Sequence, residues 1–140
     1  MKQPQIITGG TATDNRGSIL FNNDLNLVDV KRMYTVQNKT KSFVRGWQGH
    51  KIQQRWFTAI DGCFEINLID YNKFEMGITT HYKFELSSEV SSTLHIPAGY
   101  MTTIQATTNT NKLLVFSDFL LNEIDDEYRF ELGHFSIFLS

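Results

Sequence analysis

His50 is the side chain in this sequence most suited to moving a proton, because an imidazole titrates near neutral pH. It stands in the run Arg45-Gly46-Trp47-Gln48-Gly49-His50-Lys51, with Arg55 shortly after it and Pro97-Ala98-Gly99 much later. On a strand, Gln48 shares a face with His50, and Lys51 turns the opposite way, toward solvent. The Gln48 amide can hydrogen-bond a ligand oxygen but cannot take up a proton. Arg55 carries a permanent charge on a planar fork that suits phosphate or an oxyanion. A base, an amide and a guanidinium at this spacing point to organic acid–base chemistry or to the binding of an anion.

Strands must position these groups. Apolar runs recur at short, regular spacing, separated by turn residues. Ile19-Leu20-Phe21 follows the turn Asp14-Asn15-Arg16-Gly17, and residues 28–36 alternate like a half-buried strand. After a loop at Asn38-Lys39-Thr40-Lys41, Phe43-Val44-Arg45 enters the motif, and residues 55–60 form the next strand. Asp61-Gly62 is a hairpin signal, so residues 63–70 are expected to return as the partner of 55–60. Residues 81–86, 93–96, 101–106 and 112–119 read as further strands. Glu123-Ile124-Asp125-Asp126-Glu127 reads as a solvated acidic turn. Phe130, Phe135 and Phe138 are candidate anchors for a tail, on the barrel or on a partner subunit. Helix is expected to be short and peripheral. The pattern predicts an all-β jelly-roll barrel in one domain, 1–140.

With 140 residues the chain can bury a proper core, and a net charge of −2 gives no basic footprint for nucleic acid. No apolar run is long enough for a membrane helix, and the start shows no signal-peptide pattern. Cys63 is the only cysteine, which suits a reducing cytoplasm. Its strand-like neighbours make it a buried structural thiol. Trp47 and Trp56 read as core residues, and His81 and His134 as structural or exposed.

The motif resembles the two signatures of the cupins, in which a metal site needs His-x-His, then Glu, and later a third His after a Pro-x-Gly turn. Here those positions hold Gln48, His50, Arg55 and Thr102. One imidazole, one amide, one guanidinium and one hydroxyl do not make a transition-metal site, so neither metal nor other cofactor is expected. Within the cupins the chain resembles the sugar-nucleotide branch, the dTDP-4-keto-sugar 3,5-epimerases and, more closely, the 3,4-ketoisomerases. Asp14-x-Arg16-Gly17 is similar to the epimerases' Asp-x-Arg-Gly. Val30-Lys31-Arg32-Met33-Tyr34 is similar to the ketoisomerases' Ile-Lys-Arg-Val-Tyr, and residues 45–51 to their Arg-Gly-x-His-Ala-His-Lys/Arg. Tyr128-Arg129-Phe130 resembles a Tyr-x-Arg ending without its spacer.

The resemblance implies a metal-free, homodimeric, cytoplasmic enzyme of surface-polysaccharide sugar synthesis, acting on a keto sugar carried by a nucleotide. Gln48 replaces the epimerases' base, and Phe116-Ser117-Asp118-Phe119-Leu120 lacks their late-strand Tyr, which argues against 3,5-epimerisation. The implied site has His50 as base, Gln48 on sugar oxygens and Arg55 on the oxyanion or phosphate. Arg16, Arg32 and Arg45 are implied nucleotide or diphosphate contacts. Tyr100 and Thr102, at the turn, are candidate sugar contacts, and His95 is a second-rank proton shuttle. The tail or the first strand is a candidate for exchange between subunits. The alternatives are a nucleotide-sugar-binding cupin without catalysis, an epimerase-like enzyme with altered chemistry, and a metal cupin using His50 and His95.

Overall fold

A computed structural model describes residues 2–137. In chain order the strands are β1 (Gln5–Thr8), β2 (Gly10–Asp14), β3 (Gly17–Phe21), β4 (Arg32–Val36), β5 (Val44–His50), β6 (Arg55–Asp61) and β7 (Cys63–Asp70). The helix α1 (Tyr71–Glu75) follows, then β8 (His81–Ser87), β9 (Ser92–Ile96), β10 (Tyr100–Ala106), β11 (Lys112–Ser117) and β12 (Glu127–Arg129). Two five-stranded antiparallel sheets, ordered β1-β9-β6-β11-β4 and β12-β5-β10-β7-β8, face each other, and β2 and β3 form a separate hairpin. This is the expected all-β cupin jelly roll, with its one helix short and peripheral.

Period-two alternation builds the core. Phe57, Phe64, Ile66, Leu68, Leu94, Ile104, Leu113 and Val115 point between the sheets. The other faces of β5, β7 and β10 send Trp47, Ile69 and Met101 outward, where Phe135 of the tail covers them. Trp47 Nε1 donates to the Leu132 carbonyl at 2.9 Å, and its ring meets Phe135 edge-on at 5.0 Å. The tail is therefore anchored on its own barrel by Phe130 and Phe135, while Phe138 lies outside the described residues.

Three expectations need correction. The strand expected over 28–36 begins at Arg32, because a turn occupies the residues before it: Val30 N donates to the Leu27 carbonyl at 3.0 Å and Val28 N to Asn26 Oδ1 at 2.9 Å. The strands β6 and β7 do not pair. β6 lies between β9 and β11, and β7 between β10 and β8. Asp61-Gly62 turns the chain from one sheet to the other, with Gly62 at φ +71° and its carbonyl bonded to Ser88 N at 2.9 Å. Cys63, at that corner, is half-buried rather than buried. The start of the chain adds two strands that the sequence pattern did not mark, β1 and β2: Gln5–Thr8 pairs along β9 and Gly10–Asp14 along β3.

Candidate active site

Arg45 and Gln48 are three residues apart, and a regular strand would point them to opposite faces. The register of β5 on β10 shifts here. Gln48 faces Thr102 and Gly46 faces Thr103, so Trp47 is extra. This bulge resets the alternation. Arg45, Gln48 and His50 all line one cavity, and Trp47 goes to the outer cluster. Gly46 makes the bulge possible: its φ is +142°, and a Cβ there would sit 2.6 Å from the Thr102 carbonyl oxygen. Gly46→Ala is accordingly expected to destabilise the protein by about 1–3 kcal/mol or more, measured by urea unfolding.

The cavity has a volume of about 470 Å³ and receives Arg32, Tyr34, Arg45, Gln48, His50 and Arg55 from the two sheets. Leu120, Leu121 and Ile124, in the connection between β11 and β12, form another wall. Arg55 is 2% exposed. Its Nη1 donates to Thr102 Oγ1 at 3.3 Å, and Thr102 donates onward to the Gln48 carbonyl at 3.1 Å. No carboxylate forms an ion pair with Arg55 among the described residues. Burial lowers its pKa, against the opposing influence of Tyr34, Asp126 and Glu127. An arginine stays charged all the same. A buried, unpaired guanidinium beside a cavity suits an incoming anion or a developing negative charge.

His50 Nδ1 lies 3.1 Å from Asp126 Oδ1. Asp126 also accepts from Ile52 N at 2.8 Å, Gln53 N at 2.9 Å and Gln53 Nε2 at 3.0 Å. Burial pushes its carboxyl up, but these hydrogen bonds outweigh burial and hold its pKa at about 2. An ionised carboxylate can only accept, so Nδ1 carries the hydrogen and Nε2 keeps its lone pair. Burial, then Arg55, lowers the His50 pKa below 6.5, against Asp126 and Glu127. The imidazole is thus a neutral base at neutral pH, oriented by a carboxylate.

Both shifts act on stability with the same sign. Unfolded His50 and Asp126 bind protons more readily than folded ones, so lowering the pH favours unfolding. The stability His50 contributes is complete above pH 6.5 and is expected to fall as the pH drops from there through its folded pKa. A second fall is expected for Asp126 between 3.8 and about 2. Urea midpoints measured across pH test this, and His50→Asn should shrink the upper step, to which His81 and His95 also contribute, and leave the lower one in place.

The structure thus gathers Gln48, His50, Arg55, Arg32 and Arg45. Gln48 Nε2 donates to Glu127 Oε2 at 2.8 Å, and Glu127 accepts from Arg129 Nε. The Arg32 guanidinium stacks over Tyr34 at 4.4 Å, and Arg45 Nε donates to Asn38 Oδ1 at 3.1 Å. Four expected members do not line the cavity. Arg16 sits on the exposed β2–β3 hairpin, paired with Asp14 at 2.6 Å. His95 lies on the outer face of its sheet, stacked on Trp56 at 5.1 Å and bonded to Gln54 Oε1 at 2.7 Å, because Leu94 and Ile96 take the inner face. His50 and His95 therefore cannot share a metal, and among the described residues no three His, Cys, Asp or Glu side chains converge as a metal site. Tyr100 is buried in the main core against Tyr82. Thr102 stands behind Arg55 and orients it.

Asp126 is the residue the sequence reading missed. It is buried, not part of a solvated turn. One signal was available, the Tyr128-Arg129 pair of the resemblance: Glu127–Arg129 pairs as β12 with Gln48 to His50, which brings the preceding aspartate to the imidazole. No helix among the described residues is long and apolar enough to cross a membrane.

The family model described as "FdtA: WxcM-like, C-terminal" matches residues 2–137. No curated protein matches the chain. Among solved structures, the chain is similar to a 3,4-ketoisomerase from Helicobacter canadensis, at 23% identity over 96% of each chain with a TM-score of 0.75. It is similar to a histidine-to-asparagine mutant of the 3,4-ketoisomerase QdtA from Thermoanaerobacterium thermosaccharolyticum in complex with TDP-4-keto-6-deoxyglucose, at 20% identity over 91% of this chain and 88% of that one, TM-score 0.72. It is also similar to the dTDP-4-dehydrorhamnose 3,5-epimerase from Bacillus anthracis with TDP and PPi bound, at 12% identity over 93% and 79%, TM-score 0.79. At these identities the likeness is one of fold.

Proposed function

The chain belongs to the family described as FdtA, WxcM-like C-terminal, and on that premise we propose that it is a metal-free 3,4-ketoisomerase of a dTDP-linked 4-keto-6-deoxy sugar. The observation that carries this reading is the His50–Asp126 pair beside the buried, unpaired Arg55 in one cavity. In the proposed reaction His50 Nε2 takes the proton from C3. The C3–H electron pair forms the C3=C4 bond, and the C4 oxygen becomes the oxyanion that Arg55 stabilises. The C3 hydroxyl proton passes to the C4 oxygen, the C3 ketone forms, and the imidazolium returns its proton to C4. Gln48 contacts sugar hydroxyls, and Arg32 and Arg45 contact the diphosphate.

A homodimer is part of the proposal. The β2–β3 hairpin stands off the barrel with Ile19 66% and Leu20 45% exposed, an apolar ribbon that a second copy would cover. Exchange of this ribbon would deliver Arg16 to a neighbouring cavity as a diphosphate contact. Action in the cytoplasm, in surface-polysaccharide sugar synthesis, completes the reading and is supported by the resemblance and by the single Cys63.

One observation favours a second reading, a nucleotide-sugar-binding cupin without catalysis: Gln48 cannot take a proton and is already bonded to Glu127. NMR of the protein with dTDP-4-keto-6-deoxyglucose in deuterated water separates the two. Loss of the C3 proton with a 3-keto product that carries deuterium at C4 supports the isomerase. Binding without exchange supports the binder, exchange at C5 points to epimerase-like chemistry, and no binding overturns both readings.

A further inference from the structure

We infer that Gln53 and Ser117 are positioning residues that hold the Asp126 carboxylate in place and through it set the proton affinity of His50. As a statement about catalysis this rests on His50 being the base; its test does not.

Phe119 N donates to Ser117 Oγ at 3.3 Å, so this oxygen already accepts, and its own hydrogen points elsewhere. The available acceptor is Gln53 Oε1, at 2.8 Å. That bond settles which way the Gln53 amide faces: oxygen toward Ser117, NH₂ toward Asp126 Oδ1 at 3.0 Å. The Gln53 backbone N–H holds the other carboxylate oxygen at 2.9 Å. Asp126 is thereby kept ionised and in plane, and Oδ1 is left to accept from His50 Nδ1 at 3.1 Å. Phe119 N donates to Ser117, Ser117 to Gln53 and Gln53 to Asp126, and His50 Nδ1 donates to the same carboxylate from the other side, which leaves the lone pair on His50 Nε2. Were the amide reversed, its oxygen would face a carboxylate oxygen with no hydrogen between them. Ser117 is fully buried and pairs across the sheet with Arg55, so the relay runs beside the guanidinium.

The neighbouring residue supplies a built-in control. Gln54 grips Asp118 in the same way, with its N at 2.8 Å and its Nε2 at 3.2 Å, but its oxygen accepts from His95 on the outer face. Adjacent glutamines thus clamp two aspartates, and only Gln53 acts on the cavity. The charged and titratable groups around His50 are Arg55 from β6, Asp125, Asp126, Glu127 and Arg129 from the β12 side, Tyr34 and Arg32 from β4, and Arg45 from β5 itself. The variants below leave all of them in place.

The test is an NMR titration of His50 with ¹⁵N-labelled imidazole in the full chain and its folded variants. The unaltered protein should show a single Nδ1–H tautomer above the pKa. Gln53→Glu puts a second carboxylate beside Asp126 and should raise the His50 pKa by about one unit, tenfold in proton affinity. Ser117→Ala takes away the anchor of the Gln53 amide, loosens its hold on Asp126 Oδ1 and should raise the His50 pKa while the Nδ1–H tautomer is kept. Gln54→Leu should change neither. The inference is overturned if His50 keeps its pKa in both Gln53→Glu and Ser117→Ala, or if Gln54→Leu moves it as much. Should Gln53→Glu not fold, Ser117→Ala decides alone. If the NMR shifts appear but no keto sugar is isomerised, the positioning role stands and the proposed function falls.

Discussion

His50→Asn is expected to lower turnover by about 10²–10⁴-fold while leaving nucleotide-sugar affinity within a few-fold of the unaltered protein. The substitution is chosen for what it preserves. An asparagine amide can still donate to Asp126, so the buried carboxylate keeps a partner where the imidazole stood. Arg55, Arg32 and Arg45 remain to hold an anion. What disappears is the lone pair on Nε2, the one group in the cavity whose lowered pKa makes it a neutral base at pH 7. Turnover followed by NMR, with affinity from calorimetry, separates the two effects. Undiminished turnover with intact folding would remove His50 from the role of base. A parallel collapse of affinity would mean that it serves binding instead.

The placement of His50, Gln48 and Arg55 in one cavity was readable because short-range alternation suffices to put them on one face. Gln48 and His50 are two apart, and Arg55 opens the next strand facing inward with Phe57. The jelly roll was readable for the same reason, since many short alternating runs admit few other folds. What was not readable depends on partners distant in sequence. The shared face of Arg45 and Gln48 exists only because of the bulge opposite Thr102 and Thr103, and the alternation of β5 alone predicts otherwise. Asp126 lies 76 residues from His50 within an acidic run, and only the pairing of β12 with β5 singles it out. Asp61-Gly62 has the chemistry of a hairpin turn, but tight turns also serve strands that part to opposite sheets, and local chemistry does not distinguish them. His95 failed as a shuttle through parity: its neighbours Leu94 and Ile96 are the better core residues, and they took the inner face.

Arg55→Met is expected to lower turnover by about 10²–10³-fold and yet to leave the fold intact, with a higher melting temperature. Residues that hold a fold together behave the other way, losing stability when truncated. The difference lies in what surrounds the side chain. Arg55 is 2% exposed, packs against Phe57, and has no carboxylate partner among the described residues. Keeping a lone charge in such a place costs stability, and replacing buried ionic groups by apolar residues of similar size is known to add about 1–4 kcal/mol. Methionine can follow the path of the arginine stem, and Thr102 Oγ1 stays satisfied through its bond to the Gln48 carbonyl. Stability and activity should therefore move in opposite directions, as expected where a site is kept strained for function. A second effect identifies the charge as the cause. Arg55 is one of the influences holding the His50 pKa down, so its removal should shift the acid limb of any residual pH–rate profile upward. Calorimetric melting and the pH profile of the variant check both. A lower melting temperature with unchanged turnover would make Arg55 a structural residue. Arg55→Lys then discriminates within the functional case: retained activity means that charge alone is needed, and loss means that the planar fork is what binds the developing oxyanion.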